Sequence, residues 1–153
     1  MLNVKETRLV TQPTVVVRAK VHPEQLAPVM SKLFPAVTAF VQASEAEPAG
    51  PPFSRYFSMR DEKWEIACGM AVSQPLTGAG QVEASELPGG AAVTTIHRGR
   101  YEALGESWAA LQHWIKDNGK VPGEAPWELY WTDPGKVKDP AEWRTEIVIP
   151  VQE

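Results

Sequence analysis

The chain has 153 residues, with 15 Lys and Arg against 19 Asp and Glu and a formal net charge of −4. This length suits one domain with a real core, and mild acidity without any Lys/Arg cluster argues against a direct nucleic-acid binder. The single cysteine, Cys68, excludes an internal disulfide and a multi-cysteine metal site.

The N-terminal run Met1-Leu2-Asn3-Val4-Lys5-Glu6 is too polar for a secretory leader, and no apolar run is long enough to span a bilayer. The cytoplasm is therefore the expected compartment, with no membrane partner. The six tryptophans are a large rigid amphipathic surface, suited to cores and to ligand sites alike.

In chain order, Thr14 to Ala19 is rich in β-branched residues and reads as the first strand. Leu26, Val29, Met30, Leu33, Val37, Phe40 and Val41 recur at three- and four-residue steps, which is one helix face. Pro28 fits an early helical turn, whereas Pro35 should kink or split the helix. Glu45 to Pro52 reads as a loop. Strands are expected near Phe53 to Met59 and from Trp64 to Val72, joined as a hairpin by Arg60-Asp61-Glu62-Lys63. Gln74 to Gly90 reads as the linker between the two halves.

The second half repeats the order. Ala91 to His97 is a strand, and Tyr101 to Lys116 a helix with Tyr101, Leu104, Trp108, Leu111 and Ile115 on one stripe. Asn118-Gly119 is a helix stop. Trp127 to Trp131 is a strand, Asp133-Pro134-Gly135 a turn, and Thr145 to Val151 the last strand. Each half thus reads strand, helix, strand, strand. The expected fold is α+β, a tandem βαββ repeat (residues 10–73 and 91–151) with pseudo-twofold symmetry and helices packed on a sheet. Clefts between such halves are common ligand sites.

The segment Pro126-Trp127-Glu128-Leu129-Tyr130-Trp131 carries the most chemistry. In a strand Glu128 and Tyr130 point one way, and Trp127, Leu129 and Trp131 the other. A carboxylate amid aromatic surface is costly to bury alone, by roughly several kcal/mol. A cationic ligand offsets that cost, and each ring adds about 0.5–2 kcal/mol of cation–π attraction. The alternative is an edge-strand glutamate facing water, or one paired with Arg55 or Arg144. Tyr101 and Trp108 lie two turns apart and could wall a cavity over Glu128, or simply pack in the core. Either strand face could look into the cleft, which keeps Trp127 and Trp131 as alternative walls.

Other signals are weaker. His22, His97 and His113 lack metal-ligand spacing, so no metal is expected and the histidines read as surface or structural. Cys68 beside Gly69 reads as a small buried thiol more readily than as a nucleophile. Gly78-x-Gly80 is a loop and not a phosphate cradle, since no helix follows at once. Glu102 and Glu106 form a solvated i,i+4 pair.

The run His97-Arg98-Gly99-Arg100-Tyr101-Glu102-Ala103-Leu104, with Trp108, Leu111 and Trp114 after it, resembles the helix entry of GyrI-like domains. These are effector-binding domains of drug-responsive regulators. Glu128-x-Tyr130 with Asp133-Pro134 resembles their strand-and-turn motif, and Thr145 to Val151 their closing strand. The resemblance spans Ala91 to Val151, and the first half agrees in its order of elements. It implies a tandem βαββ fold, an antiparallel sheet with two main helices, and a central ligand cleft. It also implies that Glu128 matches the family's pocket glutamate, which in several members faces lipophilic cations. Tyr130, Trp108 and Tyr101 are then wall residues, with Tyr56, Trp64 and Met70 as candidates from the first half by pseudo-symmetry.

No helix-turn-helix pattern precedes the first strand, so a regulator's role would require a partner chain. The leading expectation is a stand-alone binder of small aromatic, lipophilic molecules, neutral or cationic, for sensing or sequestration, with no cofactor. The alternatives are a hydrolase that opens cyclopropanoid alkylating compounds with Glu128 as the catalytic acid or base, and an interaction module such as a gyrase modulator. SOUL-type haem binding lacks an axial-ligand signature. A homodimer or a partner protein is compatible with either reading.

Overall fold

The computed structural model describes residues 3–153; Met1 and Leu2 of the polar N-terminal run lie outside them. Its strands are β1 (Val4–Leu9), β2 (Gln12–Val21), β3 (Pro48–Ser58), β4 (Trp64–Val72), β5 (Glu83–Leu87), β6 (Gly90–Arg98), β7 (Trp127–Tyr130) and β8 (Arg144–Pro150). The helices are α1 (Leu26–Gln42) and α2 (Leu104–Asp117). The fold is α+β with antiparallel pairing throughout, as expected. The chain divides into two compact units, Thr11–Pro88 and the remainder, in which the segment up to Val10 joins Gly89–Glu153.

In the first unit the strand order is β3-β4-β2-β5. Helix α1 lies on β2 and β4. Its buried Val37 and Val41 meet Val15, Val17, Met70 and Val72, with Leu33 and Phe40 packed alongside. These are the residues of the expected helix face. Pro35 does not split the helix, which runs unbroken through it. Pro35 and Ser31 are both exposed, so the carbonyl one turn back that loses its donor faces water.

The expected loop at Glu45 to Pro52 is corrected, because β3 already begins at Pro48. The prolines fall at a register irregularity between Pro48 and Pro52, the kind of place where a sheet tolerates proline. The expected linker Gln74 to Gly90 also holds a strand, β5, paired with β2.

In the second unit the order is β1-β6-β8-β7. Helix α2 lies on β6. Leu111 and Ile115 meet Val93, Ile147 and Ile149, with Leu104, Trp108 and Trp114 partly buried beside them. Asn118-Gly119 does end the helix. Gly119 adopts φ +67°, and Lys120 N–H reaches back to Ile115 O at 3.0 Å, which closes the last turn. Strand β1 lies outside the expected pattern. It pairs residue for residue with β6, Val4 opposite Thr95 and Leu9 opposite Gly90. The two units share one order of elements within themselves: first strand, helix, then a hairpin whose second strand pairs back onto the first.

Candidate functional site

The site is built on the helix-facing side of the second unit's sheet. Cross-strand register fixes which residues share that side. Glu128 stands opposite Ile147 and Tyr130 opposite Thr145, while Thr145 and Ile147 stand opposite His97 and Thr95. Ile147 belongs to the core under α2, so Glu128, Tyr130, Thr145 and His97 all face the helix. Within the unit, the register therefore puts the Glu128 and Tyr130 side of β7 under the helix. Trp127, Leu129 and Trp131 point to the opposite side, where Trp127 is buried and Trp131 is 53% exposed. Trp131 lies just beyond β7 and donates its indole N–H to Glu146 Oε1 at 2.9 Å. Arg144 is also exposed on that opposite side, which removes it as a counter-ion for Glu128.

Glu128 is 5% exposed. Trp108 Nε1–H, from α2, donates to its Oε2 at 2.5 Å. The Tyr130 hydroxyl donates to its Oε1 at 2.7 Å. Both donors are neutral, so these two contacts orient the carboxylate and supply part of its lost hydration without adding positive charge.

Tyr101 and Trp108 do not share a single α-helical stripe. Tyr101 sits in a 3-10 turn, Tyr101–Ala103, that leads into α2. From there its ring meets Tyr130 edge-on, with centroids 6.1 Å apart. It also lies 5.1 Å from the ring of Trp143 at an interplanar angle of 33°. Burial raises the Tyr101 hydroxyl above its ordinary pKa, and the negative charges of Asp133 and Glu128 add to the rise. Tyr101 thus stays a neutral phenol at physiological pH, close to two carboxylates.

Three further residues complete the layer. Trp143 follows the 3-10 turn Pro140–Glu142, which Asp139 caps by accepting from Ala141 N–H. Its indole N–H donates to Val137 O at 2.6 Å. Its carbonyl accepts from Gly99 N–H at 2.9 Å, so the two segments that carry Tyr101 and Trp143 are joined through backbone. His97 is buried, with Nδ1 at 2.7 Å from Ser107 Oγ and Nε2 at 2.9 Å from Arg100 O. A carbonyl only accepts, so Nε2 carries a proton. The imidazole therefore braces the residues directly before Tyr101 and Trp108. Thr145, fully buried, is the third.

Trp143, His97 and Thr145 escape the sequence reading as site residues. Trp143 belongs to no periodic pattern in the sequence, and His97 and Thr145 enter only through cross-strand register. The Asp133 turn is as expected, with Gly135 N–H on Asp133 Oδ1 at 2.8 Å.

The remaining candidates belong to the first unit. Tyr56 and Trp64 form an edge-to-face pair with centroids 6.3 Å apart, and Met70 packs in the core beneath α1. Arg55 Nη1 reaches Glu86 O at 3.4 Å and its guanidinium lies over Phe57. Cys68 is fully buried beside Ser54 Oγ at 3.7 Å, and burial pushes its thiol up to about 11. Glu102 and Glu106 are exposed. Among the described residues no three His, Cys, Asp or Glu side chains gather as a metal site, and no helix is long and apolar enough to cross a membrane.

Comparison with known proteins agrees with this architecture. No curated protein matches the chain. Among solved structures it is similar to EcmrR, seen in complex with DNA, at 24% identity and a TM-score of 0.89, over 99% of this chain and 58% of that one. The separate EcmrR C-terminal domain gives 22% identity and a TM-score of 0.84, over 100% and 99% of the two chains. A hydrolase from Listeria innocua gives 16% and 0.62, over 97% and 91%. SAV2435 bound to tetraphenylphosphonium gives 14% and 0.67, over 98% and 94%. These likenesses establish a shared fold. The family model for the GyrI-like small molecule binding domain matches residues 11–152, and the chain belongs to that family.

Proposed function

We propose that this protein binds small aromatic cations at Glu128, with Trp108, Tyr130, Tyr101 and Trp143 as the walls. One observation carries the reading: a nearly buried carboxylate accepts from two aromatic side chains within a layer of four rings. A lipophilic cation in that layer gains Coulomb attraction from Glu128 and roughly 0.5–2 kcal/mol of cation–π attraction per ring. The family's small-molecule binding and the tetraphenylphosphonium bound by SAV2435 support the same chemistry. By pseudo-symmetry, Tyr56, Trp64 and Met70 are the candidate wall residues of the first unit. The function is sensing or sequestration of such compounds.

The test is a titration with tetraphenylphosphonium and with neutral tetraphenylmethane-type analogues, followed by tryptophan quenching. Wild type should prefer the cation, and Glu128→Gln should lose that preference by about tenfold or more. Equal affinity for cation and neutral analogue, unchanged by the substitution, refutes the reading.

A second reading is supported by the shared fold with the Listeria innocua hydrolase. Glu128, already an acceptor on both oxygens, would align water for opening a strained ring while the aromatic walls hold a flat substrate. Incubation with a cyclopropanoid alkylator and mass detection of the ring-opened product decides it. More than one equivalent of product per protein supports hydrolysis, and one equivalent or less supports sequestration.

A further inference from the structure

Two buried hydroxyls, those of Thr14 and Thr145, find no hydrogen-bond partner among the described residues. Such groups are rare and lower stability, because a hydroxyl taken from water gets nothing back. Thr145 stands directly across from Tyr130 on one side and His97 on the other. It therefore lies in the layer that holds Glu128. Its polar neighbours there are satisfied. His97 is held by Ser107 and Arg100, and Tyr130 and Glu128 hold one another. Thr145 is the exception.

We propose that the Thr145 hydroxyl is a specificity-determining group of this site, which hydrogen-bonds a polar atom of the bound aromatic cation. The inference rests on the Glu128 reading. Tyr130 links the two residues. Its phenol donates to Glu128 Oε1, and it is the direct cross-strand neighbour of Thr145. A cation that pairs with Oε1 in place of the phenol then sits on the same face as Thr145, next to it across the strands. The ligand class follows: aromatic cations that carry a hydroxyl or amine are preferred over wholly apolar ones. The hydroxyl's cost in the free protein is recovered when such a ligand binds, as expected for a group kept for function at the expense of stability.

A matched pair of probes tests this on the full chain: tetraphenylphosphonium, which has no hydrogen-bonding atom, and meta-hydroxyphenyl-triphenylphosphonium. Wild type should bind the hydroxylated cation about three- to tenfold more tightly, the worth of one neutral hydrogen bond. Thr145→Val keeps the shape and removes the hydroxyl. It should erase the preference and raise Tm by roughly 2–4 °C. Thr145→Ala should erase the preference too.

Thr14→Val is the control. Thr14 lies in the first unit, opposite Ala71 and Ser85, so this change should raise Tm and keep the preference. A preference that survives in Thr145→Val, equal weakening of both probes, or a lowered Tm overturns the proposal. Wild type that binds both probes equally overturns the Thr145 assignment alone, and wild type that binds neither overturns the Glu128 reading with it.

Discussion

The indole N–H of Trp108 and Oε2 of Glu128 lie 2.5 Å apart across twenty residues of chain, and this contact fastens α2 to β7. Trp108→Phe keeps most of the ring and removes the donor. A nearly buried carboxylate then loses a charge-assisted bond, at an expected cost of about 1.5–3 kcal/mol in urea unfolding. Glu128→Gln keeps an acceptor in place and should cost less. The double variant should cost less than the sum of the two, by roughly 0.5–3 kcal/mol. Additive costs would show that the two residues do not act as a pair.

His97 gives a second prediction. Its ring spans Ser107 and the Arg100 carbonyl, one residue before Trp108 and one before Tyr101. His97→Phe fills the space but leaves the half-buried Ser107 hydroxyl and part of the Arg100 carbonyl unmet, for an expected loss of about 1–3 kcal/mol. Ser107→Ala removes one bond and should cost less, about 0.5–1.5 kcal/mol. Ligand affinity, measured well below the unfolding transition, should fall more for His97→Phe than for Ser107→Ala. A reversed order in both readouts would contradict the bracing role.

How much of this is legible in the sequence depends on where each residue sits. The core faces of α1 and α2 are periodic because each helix buries one side, and periodicity finds both through Leu33, Val37 and Val41 and through Leu111 and Ile115. The strands that escape it, β1 and β5, stand at the two ends of the strand order. Their sequences, Val-Lys-Glu-Thr-Arg-Leu and Glu-Ala-Ser-Glu-Leu, carry the charges that blunt exposed edges and so look like loops. At the site, Glu128 and Tyr130 can be read together because strand alternation puts them on one face. Trp143, His97 and Thr145 cannot, because strand register and backbone bonds between distant segments bring them in.

Cys68 yields a pH prediction. Burial raises its thiol from 9.0 to about 11 in the folded protein. The unfolded chain therefore releases this proton first as pH rises. The stability tied to the neutral thiol is complete below about pH 9 and is lost as pH climbs toward 11, by roughly 2–3 kcal/mol in total. Urea unfolding of wild type and Cys68→Ala at pH 8, 9.5 and 10.5 isolates the effect, because the other titrating groups cancel in the difference. The wild-type advantage over Cys68→Ala should shrink across that window. A constant difference would mean that the thiol does not titrate in the unfolded chain alone.

Gly99 links the wall residues through its backbone. Its φ of +114° lies where side-chain-bearing residues are rarely found, and its N–H holds the Trp143 carbonyl at 2.9 Å. A Cβ added at Gly99 meets nothing within 4 Å, so Gly99→Ala tests the dihedral alone. The expected cost is about 1–2 kcal/mol. Relaxing φ would also shift the turn that carries Tyr101 and loosen the hold on Trp143, so cation affinity should fall. Gly105, inside α2, likewise has open space for an added methyl group but needs no unusual φ, and Gly105→Ala should stabilise by about 0.5–1 kcal/mol. The same methyl group enters open space in both variants. Opposite signs of the Tm change then report backbone conformation, and like signs would show that Gly99 is not held at positive φ in solution.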